Sequence, residues 1–230
     1  STPIIINNTI TLNSSSYGGG ISFDRYTSSV ITGNNITNNN AVEGGGISCS
    51  VFSSPSITNN TISENSADTK GGGIYCYYNS SATIINTIIW DNTASLGSDI
   101  YIYFSDPSIN YCNVMGGWDG EGNIDANPLF CNPDGSDYTL AENSPCVDTG
   151  EYGTYMGAFG IGCEAILSIE KDLIPQVFTL HQNHPNPFNP TTTLRYDLPE
   201  DALVNITVYN MMGRQVVALV SSQQTAGYKS

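Results

Sequence analysis

GGGISCS, residues 44–50, places three glycines directly in front of an alternating apolar strand. Related stretches are GGGISFD from Gly18, GGGIYCY from Gly71 and, in degenerate form, GSDIYIY from Gly97. The first glycines follow one another at intervals of 26, 27 and 26 residues. A fixed period in this range is typical of repeat proteins, in which each unit buries its apolar face only against its neighbours.

Other residue types repeat in step with the glycines. They form two isoleucine columns and one asparagine column: Ile5, Ile31, Ile57 and Ile84; Ile10, Ile36, Ile62 and Ile89; and Asn13, Asn39, Asn65 and Asn92. Isoleucines separated by Asn, Thr and Ser turns, without a helical period, indicate short parallel strands. The sequence therefore predicts a parallel β-solenoid, in which like residues stack about 4.7–4.9 Å apart.

The glycine triplets are interpreted as sharp corners before each strand. Glycine allows a positive φ and a close approach of two backbones. A phosphate-binding loop is excluded because neither the Lys-Ser or Lys-Thr pair nor a following helix is present.

This pattern resembles the right-handed parallel β-helix family that includes pectate-lyase-like proteins, over roughly the first two-thirds of the chain. From Asn110 onward the sequence, with GNIDANPLF, DYTLAENSPCVDTG and MGAF, resembles the closing segment of bacterial secreted β-helix proteins. Ile109 and Val114 still fit the isoleucine columns. The expected fold is all-β, with β-helix coils and a closing segment over 1–163 that covers the open end of the coils.

The composition is sparsely charged and acidic, with a formal net charge of −15 and 12% charged residues. Such a field disfavours binding to nucleic acid. No apolar run is long enough to span a bilayer, and the start of the chain lies inside the repeat pattern. We therefore interpret the chain as a fragment that lacks earlier coils and a signal peptide.

Six cysteines suit an oxidising compartment. Cys49 and Cys76 fall in one inward column with Phe23 and Ile102, where we expect a reduced apolar stack and keep a disulfide as the alternative. The four cysteines in less regular sequence are better disulfide candidates: Cys112, Cys131, Cys146 and Cys163. Sequence alone does not indicate their pairing.

Acidic residues of the closing segment could hold Ca²⁺ through oxygen ligands; they are Asp119, Glu121, Asp125, Asp134, Asp137 and Asp148. Turn chemistry is the favoured alternative because these residues lie beside Gly, Pro and Asn. We expect no cofactor, with Ca²⁺ as the alternative.

The chain after residue 163 has no coil pattern. Residues 164–180 are interpreted as a linker, and residues 181–230 are similar to the C-terminal sorting domain of the type IX secretion system. The resemblance depends on Pro185, Asn186, Pro187, Phe188, Asn189 and Pro190, followed by Leu194-Arg195-Tyr196, Val208-Tyr209-Asn210, Gly213 and Ala226-Gly227-Tyr228. It implies an Ig-like β-sandwich, cut short here, and export by the secretion machinery to the outside or outer surface of a bacterium.

One outward feature points to a ligand. Tyr75 and Tyr101 share a register position, as do Tyr77 and Tyr103, so four tyrosines are expected to form a two-by-two patch. Aromatic faces with hydroxyl edges suit sugar rings. The alternative is that the patch packs under the closing segment or stabilises the sheet through cross-strand pairs.

No catalytic constellation is visible, because the coils contain no histidine and the two cations, Arg25 and Lys70, lie at opposite ends of a repeat. Asp24 beside Arg25 is interpreted as a solvated surface pair. We predict a secreted or cell-surface β-helix protein that contacts extracellular carbohydrate. The alternatives are a polysaccharide lyase or glycoside hydrolase with active coils upstream, and a structural adhesin or stalk.

Overall fold

Four short strands form each coil of the region that carries the glycine triplets. The computed structural model describes residues 2–166, 177–180, 192–210, 212–225 and 227–229. The strands of successive coils are β1–β4 (Ile4–Ile6, Thr9–Thr11, Ser14–Tyr17, Ile21–Phe23), β5–β8 (Val30–Thr32, Asn35–Thr37, Asn40–Glu43, Ile47–Ser50), β9–β12 (Ser56–Thr58, Thr61–Ser63, Ser66–Lys70, Ile74–Tyr77), β13–β16 (Thr83–Ile85, Ile88–Trp90, Thr93–Leu96, Ile100–Tyr103) and β17–β18 (Ser108–Asn110, Asn113–Val114).

Corresponding strands of successive coils pair in parallel and form four sheets. We call them sheet A (β1-β5-β9-β13-β17), sheet B (β2-β6-β10-β14-β18), sheet C (β3-β7-β11-β15) and sheet D (β4-β8-β12-β16). Ile31 is opposite Ile5 on one side and Ile57 on the other, and Val114 is opposite Ile89. The predicted parallel solenoid and its isoleucine columns are therefore confirmed.

The core runs along the axis of the solenoid. The isoleucines of the two columns in the middle coils are fully buried, as are Cys49 and Cys76. Phe23, Cys49, Cys76 and Ile102 are register partners, as the repeat spacing predicted. Each coil thus adds one apolar layer to a continuous interior, which is the main source of stability in a repeat protein.

The predicted asparagine column forms a hydrogen-bonded ladder at the corner between sheets B and C. Asn39 donates its backbone N–H and its Nδ2 to Oδ1 of Asn65, both at 3.0 Å. Asn65 donates in the same way to Asn92, at 2.9 and 3.0 Å. A second ladder through Asn8, Asn34 and Asn60 lies at the corner between sheets A and B. The repeat analysis did not single out this second column.

The three glycines of each triplet have different roles. The first adopts a positive φ, as in Gly44 at 71°. A Cβ at the second, Gly45, would collide with the backbone oxygens of Ser66 and Gly72 in the next coil. The last copy keeps Gly97 but has Ser98 and Asp99 at the other two places, where no further coil of sheets C and D follows. Close approach of the next coil therefore accounts for the second and third glycines.

The cysteines follow the expectations only in part. Cys49 and Cys76 are free and buried, as predicted, and the hydrogen bond with Cys76 together with burial raises the pKa of Cys49. Cys131 and Cys163 form a disulfide with a Cα–Cα distance of 5.9 Å. The expectation was wrong for Cys112 and Cys146, which are free and buried.

Cys112 is unavailable for pairing because it belongs to a regular column of the solenoid. Its Sγ donates to the carbonyl of Asn110 at 3.1 Å, and its backbone N–H donates to Oδ1 of Asn123 at 2.9 Å. It thereby continues the ladder of Asn8, Asn34 and Asn60 at the end of the coils. Cys146 is held instead by Asn113, whose Nδ2 lies 3.1 Å from its Sγ.

The closing segment covers the end of the solenoid with only a short stretch. Trp118 packs against the core, and the backbone N–H of Val114 donates to the carbonyl of Ile124 at 3.0 Å. The rest of the segment lies along the outer face of sheet B. It contains β19 (Phe130–Asn132), β20 (Asp137–Ala141), β21 (Ile161–Cys163) and two 3₁₀ turns, Pro133–Gly135 and Glu151–Gly153.

This outer face accepts the segment because it carries small polar and apolar side chains. Ile88 points outward and packs with Leu140, Cys146 and Met156. Thr61 accepts a hydrogen bond from the backbone N–H of Ala158 at 3.0 Å. The closing segment therefore forms a second, smaller core against the side of the coils.

The chain divides into two units, Ser1–Ile166 and Leu167–Ser230. In the second unit, β22 (Thr179–Leu180), β23 (Tyr196–Leu198) and β26 (Gly227–Lys229) form one antiparallel sheet, and β24 (Ala202–Tyr209) pairs with β25 (Gln215–Gln224) as a hairpin. Gly213 lies in the hairpin turn with φ 73°. The predicted sorting motif Pro185–Pro190 lies outside the described residues.

Candidate functional site

The four predicted tyrosines lie together on the outer face of sheet D. Tyr75 is the register partner of Tyr101, and Tyr77 is that of Tyr103. The ring centroids are 5.9 Å apart in the first pair and 5.8 Å apart in the second. The neighbours Tyr75 and Tyr77 are also 5.9 Å apart, so the two-by-two array is present.

The four rings differ in exposure. Tyr75 is only 2% exposed, whereas Tyr103 is 43% exposed, and Tyr77 and Tyr101 are half-buried. Burial raises the pKa of the Tyr75 phenol, with the Glu43 carboxylate adding to the effect, so this phenol stays neutral. Tyr75 forms the floor of the array, and Tyr77 and Tyr103 can offer their rings to a ligand.

An ion pair that sequence reasoning missed lies beside the array. Nζ of Lys70 is 3.2 Å from Oε1 of Glu43, and it lies 5.8 and 6.0 Å from the ring centroids of Tyr101 and Tyr103. The hydrogen bond to Glu43 raises the pKa of Lys70. The sequence placed Lys70 only relative to Arg25, at the opposite end of a repeat, and did not predict its position beside the tyrosines. This position arises because the glycine corner folds the end of sheet C back toward sheet D.

Apart from Tyr101, these groups line a groove of about 540 Å³, which we call the tyrosine groove. Its aromatic lining consists of Tyr17, Tyr75, Tyr77 and Tyr103, and its hydrogen-bonding groups come from Ser22, Asp24, Glu43, Ser50 and Lys70. An aromatic surface with a few polar groups at its edge is the composition of many small-molecule sites. The arrangement places aromatic faces beside hydrogen-bond donors and acceptors.

Asp24 and Arg25 form the solvated surface pair that the sequence predicted. Arg25 lies 3.6 Å from Asp24, and their side chains are 77% and 64% exposed. An exposed pair of this kind contributes little to stability.

The comparisons with known proteins agree with this architecture. The family model for the right-handed β-helix region matches residues 1–122. The chain belongs to this right-handed β-helix family. Searches of curated proteins and of solved structures found no match. The finding establishes the β-helix fold and is consistent with a surface or carbohydrate-related protein, and it leaves the role of the tyrosine groove a prediction.

Two expectations about partners concern this β-helix as a whole. Among the residues that the structure describes, no group of three or more His, Cys, Asp or Glu side chains is placed to hold a metal ion. Within the same described ranges, no helix has the length and hydropathy needed to cross a membrane. Ca²⁺ binding by the closing segment stays a prediction.

The β-helix also contains a buried carboxylate at the end of an asparagine ladder. Asp99 occupies the place of the third glycine in the last triplet, and its Oδ1 accepts hydrogen bonds from the backbone N–H and Nδ2 of Asn92 at 3.3 and 2.8 Å. It therefore replaces the amide oxygen that a further coil would supply. Burial raises the pKa of Asp99 to about 6.

We expect Asp99→Asn to stabilise the protein at neutral pH by up to about 3 kcal/mol, since a pKa shift of one unit corresponds to about 1.36 kcal/mol. The folded state holds the Asp99 proton more tightly than the unfolded chain, whose carboxyl has a pKa of 3.8, so the wild type loses stability as the pH rises from about 4 to about 6. Asparagine keeps the acceptor and removes the charge.

Urea unfolding across this pH range measures the effect. The exposed Asp106→Asn is the matched control and should leave the pH dependence unchanged. If Asp99→Asn kept the wild-type change of unfolding free energy with pH, another group would be responsible for it.

Proposed function

We propose that this β-helix protein is exported from a bacterium and contacts extracellular carbohydrate through the tyrosine groove. The observation that supports it most directly is the exposure of the Tyr77 and Tyr103 rings beside the Lys70–Glu43 pair. Sugar rings offer C–H faces to aromatic side chains and hydroxyls to charged groups. A pure packing role for the tyrosines would favour burial of all four.

The export part of the proposal is supported by the resemblance of residues 181–230 to type IX sorting domains. We infer that β22–β26 form part of the Ig-like sandwich of such a domain, with Pro185–Pro190 and Gly213 as its sorting motif. Deletion of residues 181–230 should then retain the protein inside cells of its native bacterium. Unchanged appearance outside those cells would contradict this.

Replacement of the two accessible rings tests carbohydrate contact. We expect Tyr77→Ala with Tyr103→Ala to weaken binding to the recognised polysaccharide at least tenfold, because truncating an aromatic anchor typically costs more than 1 kcal/mol. Affinity electrophoresis of the full chain through gels that contain single polysaccharides provides the measurement. The matched control is Tyr152→Ala, at a tyrosine that is 93% exposed on the closing segment.

The outcomes separate the three classes of function. The proposal is supported if the Tyr77→Ala, Tyr103→Ala variant is no longer retarded in the gel while the Tyr152→Ala control is retarded like the wild type. Absence of binding to every polysaccharide by the folded wild type would contradict it and favour an adhesin or stalk. Release of unsaturated uronate or reducing ends would favour a lyase or a hydrolase.

A further inference from the structure

A second aromatic surface adjoins the tyrosine groove at the corner between sheets D and A. Each of four successive coils places one large aromatic side chain there, which together we call the corner strip: Tyr26, Phe52, Tyr78 and Phe104. Tyr26 and Phe104 are 73% and 70% exposed, and the two middle rings are more than 40% exposed. None of the sequence-based predictions used these residues.

The first three rings of the strip contact one another in series, and Phe104 connects to them through Tyr103 and Tyr77 of the array. Tyr26 stacks on Phe52 at 5.3 Å between ring centroids, and Phe52 meets the edge of Tyr78 at 6.0 Å. Tyr78 then contacts Tyr77 at 5.9 Å. On the next coil, Tyr103 contacts Phe104 at 4.5 Å. The contact between Phe52 and Tyr78 is diagonal because the Ile47-to-Ile74 register spans 27 residues.

The backbone at these four positions is left-handed, with φ between 48° and 60°. This conformation is strained for bulky residues, and glycine or asparagine adopts it at lower cost. The corner between sheets A and B follows that rule in the first four coils with Asn7, Gly33, Asn59 and Asn86, and the last coil has Tyr111 there. Four successive coils therefore keep a large, exposed ring at a position with a backbone cost, which points to a role of the rings at the surface.

The charge of the surrounding surface restricts the ligand. Arg25 and Lys70 are the cations of residues 1–166, and each is paired with a carboxylate. With a formal net charge of −15, the protein repels both a polyuronide and a second copy of itself. The ligand that fits is uncharged.

The backbone of the corner also disfavours a peptide strand as the ligand. The N–H of Phe52 donates to the carbonyl of Tyr78 at 3.1 Å, and other groups of this corner are paired from coil to coil in the same way. A peptide added here would find few unpaired backbone groups, which are what strand addition requires.

We propose that the corner strip binds a neutral, extended polysaccharide that runs parallel to the solenoid axis and continues from the tyrosine groove. This inference rests on the proposed carbohydrate function and specifies its substrate class. Successive coils are about 4.8 Å apart, so the strip is roughly 14 Å long. One coil therefore corresponds to about one sugar ring of an extended chain, and the strip to a tri- or tetrasaccharide.

Binding by the full chain of neutral oligosaccharides of increasing length tests the inference. The probes are β-1,4- and β-1,3-linked glucans, mannans and xylans, from disaccharide to hexasaccharide, with oligogalacturonides as the charged series. Isothermal calorimetry should show affinity for a neutral series rising up to the tetrasaccharide and then levelling off. In Phe52→Asn with Tyr78→Asn, affinity for the tetrasaccharide should fall at least tenfold.

The control is Leu12→Asn, which places the same residue at another exposed left-handed position, with φ 58°. It should leave binding unchanged, and thermal unfolding checks that all variants are folded. If only the Tyr77/Tyr103 variant lost binding, the proposed role of the corner strip would be overturned and the groove proposal would stand. Absence of binding by the wild type to every neutral and charged series would overturn both.

Two further results would also overturn the inference. One is tighter binding of oligogalacturonides than of every neutral series. The other is a concentration-dependent dimer, seen by sedimentation, that Phe52→Asn abolishes.

Discussion

Asn65→Ala is expected to lower the free energy of unfolding by about 3–5 kcal/mol. Each buried polar group without a partner costs about 1–3 kcal/mol, and the substitution leaves more than one such group. Asn65 is fully buried in the middle of the ladder between sheets B and C. Its Nδ2 donates to the carbonyls of Ile36 and Ser63 at 2.8 and 3.1 Å. Its Oδ1 accepts two hydrogen bonds from Asn39.

The variant therefore leaves donors of Asn39 and acceptors of the neighbouring coils without partners in a dry interior. Chemical unfolding followed by circular dichroism gives the difference in free energy. Asn13→Ala is the matched control: it removes a residue of the same ladder that is exposed, and it should cost less than about 1 kcal/mol. If both variants lost the same free energy of unfolding, burial of Asn65 would not be the source of its contribution.

Replacing Gly45 by alanine is expected to destabilise the protein by about 4 kcal/mol or more, at the upper end of single substitutions. The new Cβ would collide with backbone oxygens of Ser66 and Gly72, and neither atom can move without displacing the next coil. Relief requires separating two coils that are joined by hydrogen bonds such as Gly45 N–H to Gly71 O at 2.9 Å.

Thermal unfolding of the variant, compared with Gly153→Ala, measures this effect. Unlike Gly45, Gly153 has a positive φ, of 73°, and a Cβ there would meet no atom within 4 Å. Gly153→Ala therefore carries only the cost of a left-handed backbone, about 1–2 kcal/mol, whereas Gly45→Ala carries the collision with the next coil and no such backbone cost. Similar losses in the two variants would contradict the role assigned to close approach of the coils.

The repeat period was sufficient to place residues on the same face and in the same column. The stacking of Ile31 on Ile57, the buried pair Cys49 and Cys76, and the tyrosine array all follow from counting, because a solenoid converts sequence separation into register. The disulfide partners could not be counted in this way. Cys131 and Cys163 lie outside the repeat, where the path of the chain determines the distance.

The sequence by itself determined the coils, their register and the inward or outward direction of each column, since these depend only on local periodicity and parallel pairing. The tertiary structure alone decided what meets across corners and between the coils and the closing segment. It brought Lys70 over the tyrosines and left Asp99 as the last acceptor of a ladder. These contacts depend on how sharply each glycine corner turns and on where the coils stop, and neither quantity is encoded in a period.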